Sequence, residues 1–138
     1  MLAKVIFHLT PFEVKSIFVL LSFRPLAWTA VCHDQMKSFE EKYLRFDEVN
    51  TVALGIGADS VPSNKAWAES MEIKNTRIFS DFWPHGEVAK AFGVFRDKDG
   101  VSERANILID AEQNVVFAQV YSSSQLPDVE PIIDLLKS

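Results

Sequence analysis

Cys32 is the one side chain in this 138-residue sequence whose type alone offers nucleophilic and redox chemistry at neutral pH, and it is the only cysteine. It ends the stretch Pro25-Leu26-Ala27-Trp28-Thr29-Ala30-Val31-Cys32, which follows an apolar run from Ile17 to Phe23. The stretch opens onto His33 to Phe46, where apolar residues recur at helical spacing. A thiol at a helix start meets free backbone N–H groups and the positive end of the helix dipole, and both favour the thiolate. The competing reading of a lone cysteine is a small buried apolar residue.

Energetics decide what else the thiol needs. Lowering a thiol pKa from ~8.5 to about 6 takes roughly 3.4 kcal/mol of differential stabilisation. A helix N-terminus supplies ~0.3–1 kcal/mol, and up to ~2 in good geometry. A reactive Cys32 therefore requires a nearby cation or strong donors. Thr29, three residues earlier, can aim its hydroxyl at the sulfur or at a substrate oxygen, and can equally cap the helix. His33 is adjacent in sequence, but neighbours on a helix point in different directions, so a Cys32–His33 catalytic pair is not expected.

The elements that must position these residues follow from periodicity. Lys4–Leu9 and Lys15–Phe23 are rich in Val, Ile, Phe and Leu, and the second run is continuous in its apolar character, as in a strand buried on both faces. Pro25 ends it. Met36, Phe39, Tyr43 and Phe46 form one stripe of a helix, with Lys37/Glu41 and Glu41/Arg45 paired four apart on its polar face. Asn50–Ile56 is a strand, Pro62–Met71 a helix, Thr76–Ser80 a strand and Gly86–Phe92 a short helix closed by Gly93. Asp97–Gly100 is a turn, Arg104–Ile109 and Val115–Tyr121 form a hairpin, and Asp128–Lys137 is a closing helix. Alternating strands and helices with a late hairpin give an α/β fold, a mixed sheet with helices on both faces in thioredoxin-like outline. Cys32 then lies beyond the carboxyl end of a strand, where such sheets bind ligands.

Composition bounds the rest. Length and 48% hydrophobic residues fit one soluble domain spanning 1–138, and a net charge of −5 argues against nucleic acid as a partner. A single cysteine allows neither an internal disulfide nor a multi-cysteine zinc site, in keeping with a reducing, cytoplasmic setting. Pro11, Glu13 and Lys15 interrupt the apolar N-terminus, so no membrane span is expected, and no A-x-A-like cleavage site follows the short run Val5–Leu9, so no cleaved leader is expected.

The spacing Pro25-x-x-x-Thr29-x-x-Cys32 resembles the active-site motif of the peroxiredoxins, the alkyl hydroperoxide reductase and thiol-specific antioxidant family. Gln35 falls where the family has Glu or Gln. Ser80-Asp81 with Val88–Val94, and Arg104 with Ala105–Asp110, resemble later segments of the family in the same order. The likeness runs from about Ser16 to the C-terminus, whereas residues 1–15 are shorter than the family's N-terminal segment and do not match its β-hairpin.

The resemblance implies a peroxidase. Cys32 would attack a peroxide oxygen and become a sulfenic acid, Thr29 and Arg104 would hold the O–O unit, and Pro25 would shield the oxidised sulfur. Arg104 would supply the cation that the energetics require. Gln35 is a secondary site residue, and no metal or organic cofactor is called for. With no second cysteine, the sulfenic acid must be reduced by an external thiol: thioredoxin, a glutaredoxin-like protein or a low-molecular-weight thiol. The resemblance further implies a homodimer, with Phe82 and Trp83 in a loop at its interface; His85 receives no role. Two other readings remain open at this stage. One is a thioredoxin-fold interaction or chaperone-like protein with weak or lost peroxidase activity. The other is a thiol–disulfide oxidoreductase, which the missing C-x-x-C partner disfavours.

Overall fold

The computed structural model describes residues 17–138. The apolar run Lys4–Leu9 and the atypical N-terminal segment lie outside them. Strand β1 (Phe18–Phe23) is the centre of a five-stranded mixed sheet. It lies parallel to β2 (Thr51–Gly57), which lies parallel to β3 (Arg77–Ser80). On its other side β1 pairs antiparallel with β6 (Arg104–Ile109), which pairs antiparallel with the edge strand β7 (Val115–Tyr121). The continuous apolar run of β1 is explained by this position, since both of its faces are covered.

Alternation divides the core in two. Val19, Leu21 and Phe23 point to one face, with Leu54, Ile56, Ala105 and Ile107 and with Val88 and Ala89 of helix α4 (Glu87–Ala91). Leu20 and Leu108 point to the other, under Cys32, Met36 and Phe39 of α1 (Ala30–Glu41) and Trp67 of α3 (Val61–Ser70). Ile132 and Ile133 of α5 (Glu130–Lys137) complete that second cluster. Helices therefore cover both faces, as expected. None of the helices among the described residues is long and apolar enough to cross a membrane.

Three local readings change. The helix expected over 33–46 is two helices, α1 and α2 (Tyr43–Glu48), separated at Lys42 where ψ is 11°. That break turns the stripe: Phe46 is buried against Phe39, with ring centroids 5.7 Å apart, while Tyr43 is exposed. The expected pairs four apart are replaced by longer-range partners. Arg45 makes a bidentate pair with Glu130 at 2.7 and 2.8 Å, and Lys37 donates to the Met71 carbonyl. Finally, the 97–100 turn joins a small separate hairpin, β4 (Phe95–Arg96) and β5 (Val101–Ser102), too short to read from periodicity.

Candidate active site

Strand β1 ends where the site begins. The Arg24 N–H makes a last ladder bond to the Ile56 carbonyl, and half-buried Pro25 then stops the strand. The chain reverses over residues 25–29, with Trp28 at φ 69°, a left-handed conformation uncommon for a bulky residue. Two contacts hold that turn: the Trp28 indole donates to the Ser63 hydroxyl, and the Ala27 N–H donates to Asp59. Thr29 then occupies the N-cap of α1, its carbonyl accepting the first helical bond from His33.

Cys32 is in the first turn of α1 but points inward, and only 1% of it is exposed. Arg104 reaches it from the start of β6, its Nη1 lying 3.2 Å from Sγ and 2.6 Å from Gln35 Oε1. Nη2 of the same guanidinium donates to the Ser123 carbonyl at 2.9 Å. The cation that the energetics demanded is thus beside the sulfur, from a position 72 residues away in sequence.

Gln35 holds that guanidinium through a buried relay. Its amide donates to the Ser22 hydroxyl at 2.6 Å and to the Phe23 carbonyl at 3.2 Å, while its oxygen accepts from Arg104. Ser22 in turn donates to Asn106, whose amide donates to the Tyr121 hydroxyl. Burial pushes the Tyr121 phenol up, so it stays protonated at neutral pH. Apart from Arg104 Nε, which has no hydrogen-bond partner among the described residues, the polar groups of this network are paired, and the pairing fixes one arrangement because losing a partner strands a buried polar group at ~1–3 kcal/mol.

Thr29 is where expectation and structure differ in detail. Its hydroxyl donates to the Leu26 carbonyl at 2.8 Å and makes no side-chain cap. The hydroxyl proton is therefore engaged and not aimed at the sulfur, and the oxygen, which accepts no helix N–H, remains an acceptor facing solvent. A shallow cavity of about 350 Å³ lies at this surface, lined by Trp28, Thr29, His33 and Trp67 among others. His33 stays at the surface beside Asp34, consistent with the absence of a Cys32–His33 pair. The larger hollow, about 490 Å³ near Phe18, Leu108 and Leu136, is at the far end of β1 from this chemistry.

Sequence reasoning did not single out Ser22, Arg24, Asp59, Asn64 or Asn106. A faint signal existed, since Ser22 and Arg24 are polar residues two apart on an otherwise apolar strand. The 80–85 loop is exposed at Phe82 and Trp83. His85 lies edge-on to Phe82 and Phe95, its Nε2 2.7 Å from the Gly100 carbonyl, so it ties this loop to the β4–β5 turn.

Known proteins resemble this chain in sequence and in fold. Residues 7–118 match the model of the AhpC/TSA family. The chain is 32% identical over 110 residues to alkyl hydroperoxide reductase E of Mycobacterium tuberculosis, covering 80% of this chain and 71% of that protein. Among solved structures, a reduced 2-Cys peroxiredoxin of Plasmodium vivax is similar with a TM-score of 0.79 at 29% identity, over 88% of this chain and 64% of that one. An AhpC of Enterococcus faecalis shares the fold with a TM-score of 0.82 at 22% identity, over 90% of this chain and 75% of that one. These relatives favour the enzyme over the interaction or chaperone-like alternative. With its thioredoxin-like sheet and the family match over most of its length, the chain belongs to the AhpC/TSA family and is a peroxiredoxin, a thiol-dependent peroxidase.

Proposed function

We propose that Cys32 is the sulfur through which this peroxidase works, on hydrogen peroxide or small alkyl hydroperoxides. The observation that carries the reading is the Arg104 guanidinium 3.2 Å from Sγ, locked in place by Gln35. In the reaction the thiolate attacks one peroxide oxygen, the S–O bond forms as the O–O bond breaks, and water or an alcohol leaves with the substrate proton. The sulfur becomes a sulfenate, which takes back from solvent the proton that the thiol gave up on ionising and so becomes the sulfenic acid. Arg104 offsets charge on the sulfur and on the departing oxygen, where donors lower the barrier most. The Thr29 oxygen, with its own proton held by Leu26, can accept the peroxide O–H and orient it. Pro25, half-buried at the end of β1, screens the oxidised sulfur from water.

Two external thiols then complete the cycle. One attacks the sulfenic acid and releases water; the second reduces the mixed disulfide, returning Cys32 and leaving an external disulfide. A protein or low-molecular-weight thiol in a reducing, cytoplasmic setting fits a sequence with one cysteine. Exposed Phe82 and Trp83, 51% and 78% accessible, support a homodimer formed through the 80–85 loop.

The test is peroxide consumption with dithiothreitol as reductant, together with dimedone trapping read by mass spectrometry. Wild type is expected to consume peroxide and to carry the adduct on Cys32, and Cys32→Ser to do neither. A Cys32→Ser protein that consumes peroxide at the wild-type rate refutes the assignment.

A further inference from the structure

Arg24 carries a charge that the mechanism above does not use. Its side chain is completely buried. Nη2 donates to Asn64 Oδ1 at 2.5 Å, and the guanidinium carbon lies 5.0 Å from the centre of the Trp67 ring. Nε and Nη1 have no hydrogen-bond partner among the described residues. Asp59 is 3.9 Å away, within ion-pair range but beyond a hydrogen bond, and its Oδ2 is taken by the Ala27 N–H. Gly57 makes the space: a Cβ there would meet Nη1 at 2.9 Å and the Arg24 carbonyl at 3.0 Å.

Register places this charge with the site. Strands β1 and β6 pair with Ser22 opposite Asn106 and Phe23 opposite Ala105, so the next step sets Arg24 opposite Arg104. Residues directly opposite in an antiparallel pair share a face. Ser22, Arg24, Arg104 and Asn106 therefore all leave the sheet on the face that α1 covers with Cys32, Gln35 and Met36. Two guanidiniums on one buried face repel, and each is costly unless an anion offsets it. Asp59 offsets one. Among the described residues the contacts of Arg104 are the thiol, Gln35 and a carbonyl, none of them a carboxylate. Charge on the face reaches balance when Cys32 is a thiolate.

We propose that Arg24 is a second cation of the cysteine site, a positioning residue that acts through Cys32 by holding the sulfur in its negatively charged form alongside Arg104. The inference rests on Cys32 being the reactive thiol. Burial lowers the Arg24 pKa to about 10, with Asp59 and Cys32 pulling the other way, so the guanidinium is charged at neutral pH. The other titratable groups around the sulfur do not replace it. His33 is at the surface against Asp34, Tyr121 is a neutral phenol, and α3 presents uncharged Asn64 and Trp67.

The experiment follows the ultraviolet absorbance of the thiolate against pH, and the rate of iodoacetamide alkylation, in reduced full-length protein. Arg24→Gln is expected to move the midpoint of thiolate formation up by about one pH unit, a roughly tenfold loss of thiolate below it. Arg24→Lys keeps a charge and is expected to restore most of the difference. Asp59→Asn removes the competing anion, retains an acceptor for the Ala27 N–H, and is expected to move the midpoint down. A purely structural Arg24 would not produce opposite shifts from Arg24→Gln and Asp59→Asn. Folded Arg24→Gln with the wild-type midpoint overturns the proposal. Should Arg24→Gln fail to fold, Asp59→Asn with an unchanged or raised midpoint overturns it. Peroxide consumption by wild type is scored separately, so a failure of the electrostatic inference is distinguishable from a failure of the peroxidase reading.

Discussion

Replacing Arg104 by methionine removes the charge beside Cys32 and keeps an unbranched side chain of related length. At 3.2 Å from the sulfur, a unit charge pair at an effective permittivity of about 20 interacts by roughly 5 kcal/mol. Desolvation offsets part of that, and hydrogen bonds to charged groups contribute a net ~1.5–3 kcal/mol. The thiolate midpoint of Arg104→Met is therefore expected about one to two pH units above wild type. The same substitution leaves Gln35 Oε1 and the Ser123 carbonyl without their donor, at a further ~1–3 kcal/mol of stability for a buried orphan group. The two effects separate experimentally. Ultraviolet titration of the thiolate reads the first, and urea unfolding followed by circular dichroism reads the second. Stopped-flow mixing with peroxide at a pH above both midpoints reads what Arg104 does for the departing oxygen once the sulfur is already ionised. Folded Arg104→Met with the wild-type titration curve refutes the argument that this guanidinium supplies the missing stabilisation.

Two further outcomes follow from contacts near the site and remote from it. Thr29→Val removes the hydroxyl oxygen that the proposed mechanism uses to orient the peroxide, and the second-order rate of sulfenic acid formation is expected to fall roughly ten- to a hundredfold, with the thiolate midpoint unmoved; an unchanged rate removes Thr29 from the mechanism. Glu40 accepts the backbone N–H groups of Lys74, Asn75 and Thr76, and although burial alone raises its pKa, those bonds together hold it below the usual carboxylate range. A lowered folded-state value stabilises the fold above the unfolded carboxyl range of ~4.3, and that contribution is lost as pH falls through the folded value. Glu40→Gln should accordingly cost about 1–2 kcal/mol at neutral pH and progressively less in acid, as read from urea midpoints. A difference that stays constant down to acid pH contradicts the linkage.

Much of the architecture was legible because β1, β2 and β6 are long apolar runs, and because Pro25, Pro62 and Gly93 punctuate the chain where elements stop or start. Gly93 does take a left-handed conformation, φ 72°, at the end of α4. The division of 33–46 into two helices was not legible, since α1 and α2 carry nearly one period and only the packing of Phe46 against Phe39 shows the turn at Lys42. The β4–β5 hairpin, two residues a strand, is too brief for any periodic signal.

For the site, the amino-acid sequence by itself determined the thiol, its place at the start of a helix, the Pro25–Thr29–Cys32 spacing, and the need for a cation that the helix could not replace. Those are local properties: residue type, short-range spacing and the free energy available from one helix end. Only the tertiary structure decided how the sulfur is surrounded. It turns Cys32 inward, commits the Thr29 proton to Leu26, and strings Arg104, Gln35, Ser22, Asn106 and Tyr121 into one relay. It also sets Arg24 opposite Arg104, 80 positions later, through a β1–β6 register that no local pattern encodes. Register comes from which strands pair and how far each is shifted, and side chains on neighbouring strands distant in sequence acquire a common face only once the sheet has formed.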